Sequence, residues 1–195
     1  MPPEPEYPEH IAVIDVATVA HRDMRVEAFA RGQASILADE PLGFDIGEPP
    51  VLRGQSRGWS PVHYQLAALA TCTSITVKVV AVDLGFELHG LRAAGRSLLD
   101  LRGFADGDRS RSPAFEQITL ELTVDTPEPD ARIARLADDT HRACPQLGVY
   151  HRARMPMLFR WLRADGTPAL EQRFHLPEGR PSPAEALALA PAEAS

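Results

Sequence analysis

One stretch of the chain, residues 60–86, limits the possible folds more than any other. It opens with Ser60-Pro61, a common helix start, because serine caps free backbone N–H groups and proline fits the first turn. It closes near Gly85, a residue type suited to ending a helix. About 24 residues at 1.5 Å each give a helix of roughly 36 Å. No charge occurs before Lys78, so the helix is nearly apolar all round and we expect it to be buried.

The middle of this helix holds the first candidate for chemistry. Cys72 lies among alanine, threonine and serine residues, which are small and let neighbouring elements approach closely. The helix is too short, and too rich in Thr, Ser and His, to be typical of a membrane span. We therefore expect no membrane partner and take Cys72 as a candidate nucleophile.

The length, net charge and cysteine content of the chain exclude several classes of protein. A chain of 195 residues favours one domain, which we expect over residues 10–176, between a flexible lead (1–9) and a disordered Pro/Ala/Glu-rich tail (177–195). A net charge of −7 leaves no basic surface for nucleic acid. The acidic, proline-rich start is unlike a signal peptide, and two cysteines do not make a secreted disulfide framework. A cytoplasmic protein is the expectation.

The rest of the chain alternates between strand and helix patterns. Phe115–Val124 is the clearest strand, because its apolar residues alternate with polar ones. Residues 129–143 form an amphipathic helix pattern with Ile133, Leu136, Ala137 and Thr140 facing inward. We expect a long loop over 42–59, a hairpin turn at Arg31-Gly32, and further strands at 10–19, 24–30, 33–38, 87–101, 155–163 and 171–176.

The second cysteine lies where two helices are expected to meet. Proline disfavours the helical conformation in the residue before it, so Cys144-Pro145 should end one helix and start a short second one. Cys144 would then be the N-cap, where the helix dipole and free N–H groups favour a thiolate. Burial in apolar surroundings would raise the pKa of Cys72 unless a cation lies nearby. Arg53 or Arg57, or else His141 and Arg142, are the candidates.

Each candidate also has a plain structural interpretation. Free cysteines are often small buried hydrophobes, so either thiol could be inert packing. His63 would then be a surface or cap residue, and Lys78 a side chain that reaches from the helix end to water. His141-x-x-Cys144 has a spacing that suits a metal, but two ligands are too few for a zinc site. We predict no metal and no cofactor.

Three motifs in order resemble the OsmC/Ohr family. S-P-V-H-Y-Q-L-A-A-L-A-T-C-T-S-I-T, from Ser60, resembles the family's long central helix, in which an Ala-rich segment carries the first cysteine. D-E-P at 39–41, followed by a glycine-containing loop, resembles its lead-in, and R-A-C-P-Q-L-G-V-Y at 142–150 resembles its second cysteine motif. The resemblance covers roughly residues 24–165.

The resemblance implies an α+β fold in which antiparallel sheets pack around a long buried central helix and two chains intertwine into a homodimer. It implies an enzyme of oxidative-stress defence that reduces organic hydroperoxides with two cysteines. Cys72 would attack the peroxide and become a sulfenic acid, and Cys144 would resolve it as a disulfide. A dithiol or lipoyl-type reductant would restore the thiols.

The sequence departs from the peroxidase members at one position. Those members place a glutamate just after the S/N-P, at the position of Val62, or in related branches at His63. The family's loop arginine, which pairs with the thiolate, corresponds most closely to Arg53, with Arg57 as the alternative. The missing carboxylate supports a second hypothesis, a protein of the same fold without peroxidase activity that binds a hydrophobic ligand in the dimer-interface cleft.

Overall fold

The computed structural model describes residues 14–20, 26–32, 42–46, 60–99, 109–110 and 115–176, with side chains placed for 60–97, 109–110 and 115–176. The chain divides into two compact units, residues 1–64 and 65–195. The predicted lead at 1–9 and tail at 177–195 lie outside the described residues. The prediction of one domain over 10–176 therefore stays a prediction.

The first unit contains an antiparallel sheet of three strands. They are β1 (Ile14–Ala20), β2 (Val26–Gly32) and β3 (Leu42–Ile46), in the order β1-β2-β3. The hairpin turn predicted at Arg31-Gly32 is wrong, because both residues pair with β1, where Asp15 faces Arg31 and Ile14 faces Gly32. The long loop predicted over 42–59 is wrong at its start, because residues 42–46 pair with β2. The glycines and prolines further along that segment indicated a loop, although its first five residues form the short strand β3.

Helix α1 (Pro61–Asp83) is the predicted long helix. The Ser60 carbonyl accepts hydrogen bonds from the His63 and Tyr64 N–H groups, so the helix starts where the Ser-Pro signal placed it. Gly85, two residues beyond the helix, has a φ of 54° in the left-handed region, and Phe86 N–H bonds back to the Ala81 carbonyl at 2.8 Å. The start and end signals of the sequence are thus confirmed.

The described part of the chain buries one face of α1. Leu69, Thr73 and Val77 have no exposed surface, whereas the opposite face is apolar and open to solvent. We call this opposite face the outer stripe: its residues follow one another at intervals of three or four, and they are Ala68, Thr71, Ile75, Val79 and Val82. The helix is therefore apolar on two faces, and the described residues cover one of them.

The composition of α1 also meets the criterion for a membrane span. Among the described residues it is the one helix long and apolar enough, with a mean hydropathy of 1.6 over its best window. The core helix of a soluble protein meets the same criterion. The buried face of α1 packs on the sheet of the second unit, where Leu66 lies so close to Gly95 that a Cβ there would come within 3.1 Å.

The second unit holds a mixed sheet of four strands. Their order is β4-β5-β6-β7. The strands are β4 (Gly90–Leu99), β5 (Phe115–Asp125), β6 (Met157–Arg163) and β7 (Pro168–Phe174). The prediction of antiparallel sheets is wrong for one pair, since β5 and β6 run parallel. Parallel neighbours need a crossover, and helices α2 (Asp130–Ala143) and α3 (Pro145–Arg152) provide it.

The core lies between this sheet and the helices. The predicted inward residues of β5 and α2 are confirmed, because each is buried: Ile118, Leu120, Leu122, Val124, Ile133, Leu136, Ala137 and Thr140. Arg132 of α2 donates to the carbonyls of Leu84 and Gly85, both at 3.1 Å, just beyond α1. This contact holds the end of α1 against α2. Cys72 lies in the middle of α1, and Cys144 directly follows α2.

Candidate thiol site

The two cysteines of the chain meet in the structure. Cys72 lies midway along α1, and Cys144 lies between α2 and α3. Their Sγ atoms are 3.6 Å apart although the residues are 72 positions apart in the sequence. A disulfide needs about 2.05 Å between the sulfur atoms, so a small movement would join them. Both thiols are free.

The position of Cys144 follows from its local sequence. Its φ of −75° and ψ of 117° are extended, as expected for a residue before proline. Its backbone N–H donates to the Thr140 carbonyl of α2, and its carbonyl accepts from Gly148 N–H of α3. Cys144 therefore ends one helix and caps the next, which confirms the predicted placement.

The two sulfur atoms differ in their access to solvent. Cys144 is 2% exposed, whereas Cys72 is partly exposed. Thr73 is fully buried, and its hydroxyl, which donates to the Leu69 carbonyl at 2.8 Å, lies 3.8 Å from Cys144 Sγ. A molecule arriving from solvent would therefore reach Cys72 first.

The pKa of the Cys72 thiol is raised, mainly because burial penalises the thiolate. A thiolate on Cys144 would raise it further by repulsion. The largest opposing contribution is a hydrogen bond from the backbone N–H of Gln146 in the first turn of α3, with a smaller one from the Thr76 hydroxyl. From the sequence we expected a helix start here whose N–H groups act on Cys144. The Gln146 N–H instead lowers the pKa of Cys72.

Of the four cationic residues predicted to lie near the thiols, two are in the described part of the chain and two are outside it. Arg142 forms an ion pair with Asp139 at 2.7 Å on the exposed side of α2, and the His141 ring packs against His151. Neither of them is directed at the thiols. Arg53 and Arg57 lie outside the described residues, so their role stays a prediction. His63 is exposed in the first turn of α1, with its Nδ1 2.7 Å from the Ser60 hydroxyl.

His141 belongs to a separate cluster of rings. Its Nδ1 is 3.2 Å from His151 Nε2, and its ring packs edge-on against Phe159 at 4.4 Å between centroids. Within the described parts of the chain, no group of three His, Cys, Asp or Glu side chains is placed to hold a metal ion. In those parts of the chain, His141 and Cys144 therefore have no third side chain with which to bind a metal ion.

Burial of His141 predicts an acid-sensitive stability. Desolvation lowers its pKa from 6.5 to about 4, and the neighbouring His151 acts in the same direction. Between these two pH values the unfolded chain binds a proton that the folded chain does not, so stability should fall as the pH falls from 6.5 to about 4. The loss should be roughly 2–3 kcal/mol. Urea unfolding across this range would measure it.

His141→Leu is the matched variant for this measurement. Its free energy of unfolding should change less than that of the wild-type protein over the same pH range. An unchanged pH dependence in His141→Leu would assign the acid sensitivity to other groups.

Known proteins of similar sequence and structure share this arrangement of elements. The sequence model of the family described as OsmC-like protein matches residues 54–153. No curated protein sequence matches the chain. An OsmC-like protein from Mycoplasma pneumoniae superposes with a TM-score of 0.62 at 14% identity, over 77% of this chain and 96% of that one.

Two further solved structures are similar in fold. An organic hydroperoxide resistance protein OsmC from Legionella pneumophila has a TM-score of 0.57 at 14% identity, over 80% of this chain and 98% of that one. An organic hydroperoxide resistance protein from Elizabethkingia anophelis has a TM-score of 0.57 at 12% identity, over 78% and 97%. At these identities the likeness shows a common fold.

Proposed function

The chain belongs to the OsmC-like protein family, and from that premise we propose that it reduces organic hydroperoxides with Cys72 and Cys144. The observation that carries the proposal is the 3.6 Å separation of the two Sγ atoms. Two proteins of similar fold are organic hydroperoxide resistance proteins, which supports this class of substrate.

The unequal exposure of the two thiols supports one order of events. The Cys72 thiolate attacks the outer peroxide oxygen, the O–O bond breaks, and the leaving alkoxide takes a proton and departs as an alcohol. Cys72 is then a sulfenic acid. The Cys144 thiol attacks its sulfur, the S–S bond forms, and water leaves with the transferred oxygen. The hydrogen bond from Gln146 N–H favours the thiolate that starts this sequence.

The cycle needs a reductant that returns both thiols. We propose a dithiol of the lipoyl type, which would attack the disulfide, form a mixed disulfide and leave in oxidised cyclic form. Such a cycle runs in a reducing compartment, so the proposal includes the cytoplasm.

The outer stripe of α1 supports a homodimer as part of the proposal. Ile75, Val79 and Val82 are 63%, 55% and 80% exposed in the single chain. Thr71 adds to the apolar character, because its hydroxyl donates to the Ala67 carbonyl and leaves the methyl group outward. Spacing of three and four residues suits pairing with a second helix. We propose that a second copy covers this stripe, which would bury α1 on both faces as its sequence predicts.

A cleft near the end of α1 supports the second hypothesis, the binding of a hydrophobic ligand. It has a volume of about 360 Å³ and lies between the helix end and the start of β4. Its lining is mostly apolar, with two basic side chains, and includes Lys78, Val82, Phe86, Leu88, His89 and Leu91. The raised pKa of Cys72 and the absence of a glutamate at Val62 or His63 also favour this alternative.

Reaction of the reduced protein with cumene hydroperoxide separates the two hypotheses. A peroxidase should consume one equivalent within seconds, with loss of both thiols and a Cys72–Cys144 disulfide in the peptide map. Hydrogen peroxide should react more slowly. A rate no faster than that of free cysteine would contradict the peroxidase proposal and leave ligand binding as the function to test.

A further inference from the structure

A pair of histidines joins the two helices that meet at Cys144. His141 lies in the last turn of α2 and His151 near the end of α3. The distance of 3.2 Å between His141 Nδ1 and His151 Nε2 fits one N–H···N hydrogen bond. This contact closes a loop of the chain that contains both Cys144 and Gln146.

One polar side chain, Gln172, lies beside the pair. Its amide nitrogen donates to Asp138 at 2.9 Å. The Gln172 carbonyl oxygen and His141 Nε2 are buried, and neither has a hydrogen-bond partner among the described residues. Between the rings, one of His141 Nδ1 and His151 Nε2 carries the proton and the other accepts it.

Aromatic rings and one further histidine surround the pair. Phe159 of β6 and Phe174 of β7 lie 4.4 and 4.5 Å from the His141 ring centroid. His175, directly after β7, lies 6.0 Å from the His151 centroid. Of the nearby charged side chains, Asp138 accepts a hydrogen bond from Gln172, and Arg142 donates one to Asp139. In this setting the neutral pair is favoured, because burial and the adjacent histidines lower the pKa of both rings.

We propose that the His141–His151 pair is a clasp that positions α3, so that the Gln146 backbone N–H points at Cys72 Sγ. This inference rests on the proposed function in that it assigns the clasp a role in thiol reactivity. The two histidines are positioning residues, since neither is in contact with a sulfur atom. They act through the backbone of α3.

The short length of α3 explains why such a clasp matters. The helix has eight residues, and it is joined to α2 at one end through Cys144. Leu147 and Tyr150 anchor one side of α3 in the core. The His151 hydrogen bond fixes its far end. Because hydrogen bonds weaken steeply with angle, a rotation of α3 would turn the Gln146 N–H away from Cys72.

Two variants of His151 test the clasp. His151→Gln keeps an amide that can donate or accept a hydrogen bond at nearly the same reach, whereas His151→Leu keeps the bulk and removes the hydrogen-bonding group. The readout is the rate at which iodoacetamide alkylates Cys72 as a function of pH, followed by mass spectrometry of the Cys72 peptide. We expect His151→Leu to raise the apparent pKa of Cys72 by about one unit, which slows alkylation at neutral pH about tenfold. His151→Gln should stay close to the wild type.

A purely structural role would give a different result. His151→Leu would then unfold at a lower temperature but show the wild-type pKa for Cys72, and this outcome would overturn the proposal. Ring ¹⁵N NMR of the wild-type protein gives a second test that needs no variant. At neutral pH one of His141 Nδ1 and His151 Nε2 should carry a proton and the other should be an unprotonated acceptor, and two freely titrating rings would exclude the clasp. Alkylation needs no peroxide, so these results are independent of whether the protein is a peroxidase.

Discussion

Cys72→Ser should lower the rate of organic hydroperoxide reduction by about a thousandfold or more, because it removes the nucleophile of the proposed cycle. Serine differs from cysteine by one atom, and Cys72 is partly exposed, so the fold should be retained. Stopped-flow measurement with cumene hydroperoxide would give the rate, and circular dichroism would confirm that the variant is folded.

Cys144→Ser is the matched control for that experiment. It should still consume one equivalent of peroxide, because Cys72 remains, but it should stop at a sulfenic acid that dimedone labels. Turnover with a dithiol should fall strongly. If Cys144→Ser lost the first step and Cys72→Ser kept it, the two roles would be reversed.

Val79→Glu should convert the proposed dimer into a monomer. Val79 lies in the outer stripe and is 55% exposed in the single chain, so a partner helix would bury it. A dimer would bury two carboxylates without partners, each at a cost of several kcal/mol. The dissociation constant should therefore rise about a thousandfold or more. Light scattering coupled to size-exclusion chromatography measures the mass directly.

Val149→Glu provides the matched control, since it is the same substitution at a helix position that is 62% exposed but lies on α3, outside the stripe. It should leave the mass of the particle unchanged. Dissociation by Val149→Glu alone would place the interface on α3. A wild-type protein that is monomeric at all concentrations would contradict the dimer.

The fold was predictable wherever a local signal determines it. Ser60-Pro61 and Gly85 mark the ends of α1 through backbone chemistry within a few residues, and the alternation in β5 identifies its buried face. The parallel pairing of β5 with β6 was not predictable in this way. It depends on how α2 and α3 return the chain across the sheet, and strand patterns alone do not contain that path.

In the candidate site too, local signals in the sequence were predictive, and contacts that depend on tertiary packing were not. The Cys144-Pro145 dipeptide locates the helix junction, because the restriction on the residue before proline is local. The meeting of Cys144 with Cys72 became an expectation only through the family resemblance. The contribution of Gln146 comes from its backbone, so its side chain gives no signal in the sequence. His141 and His151 were not predicted as a pair, because the angle between α2 and α3 decides whether their rings meet.

The separation of 72 residues between the paired cysteines has a consequence for the lifetime of the molecule. A bond between them would close a loop of that length and remove many conformations from the unfolded chain, which is worth about 4 kcal/mol at room temperature. Oxidised molecules should therefore open less often and resist proteases longer than reduced ones. Exposure to peroxide would then change the turnover of the protein in the cell as well as its chemistry, so that the molecules that have reacted outlast those that have not.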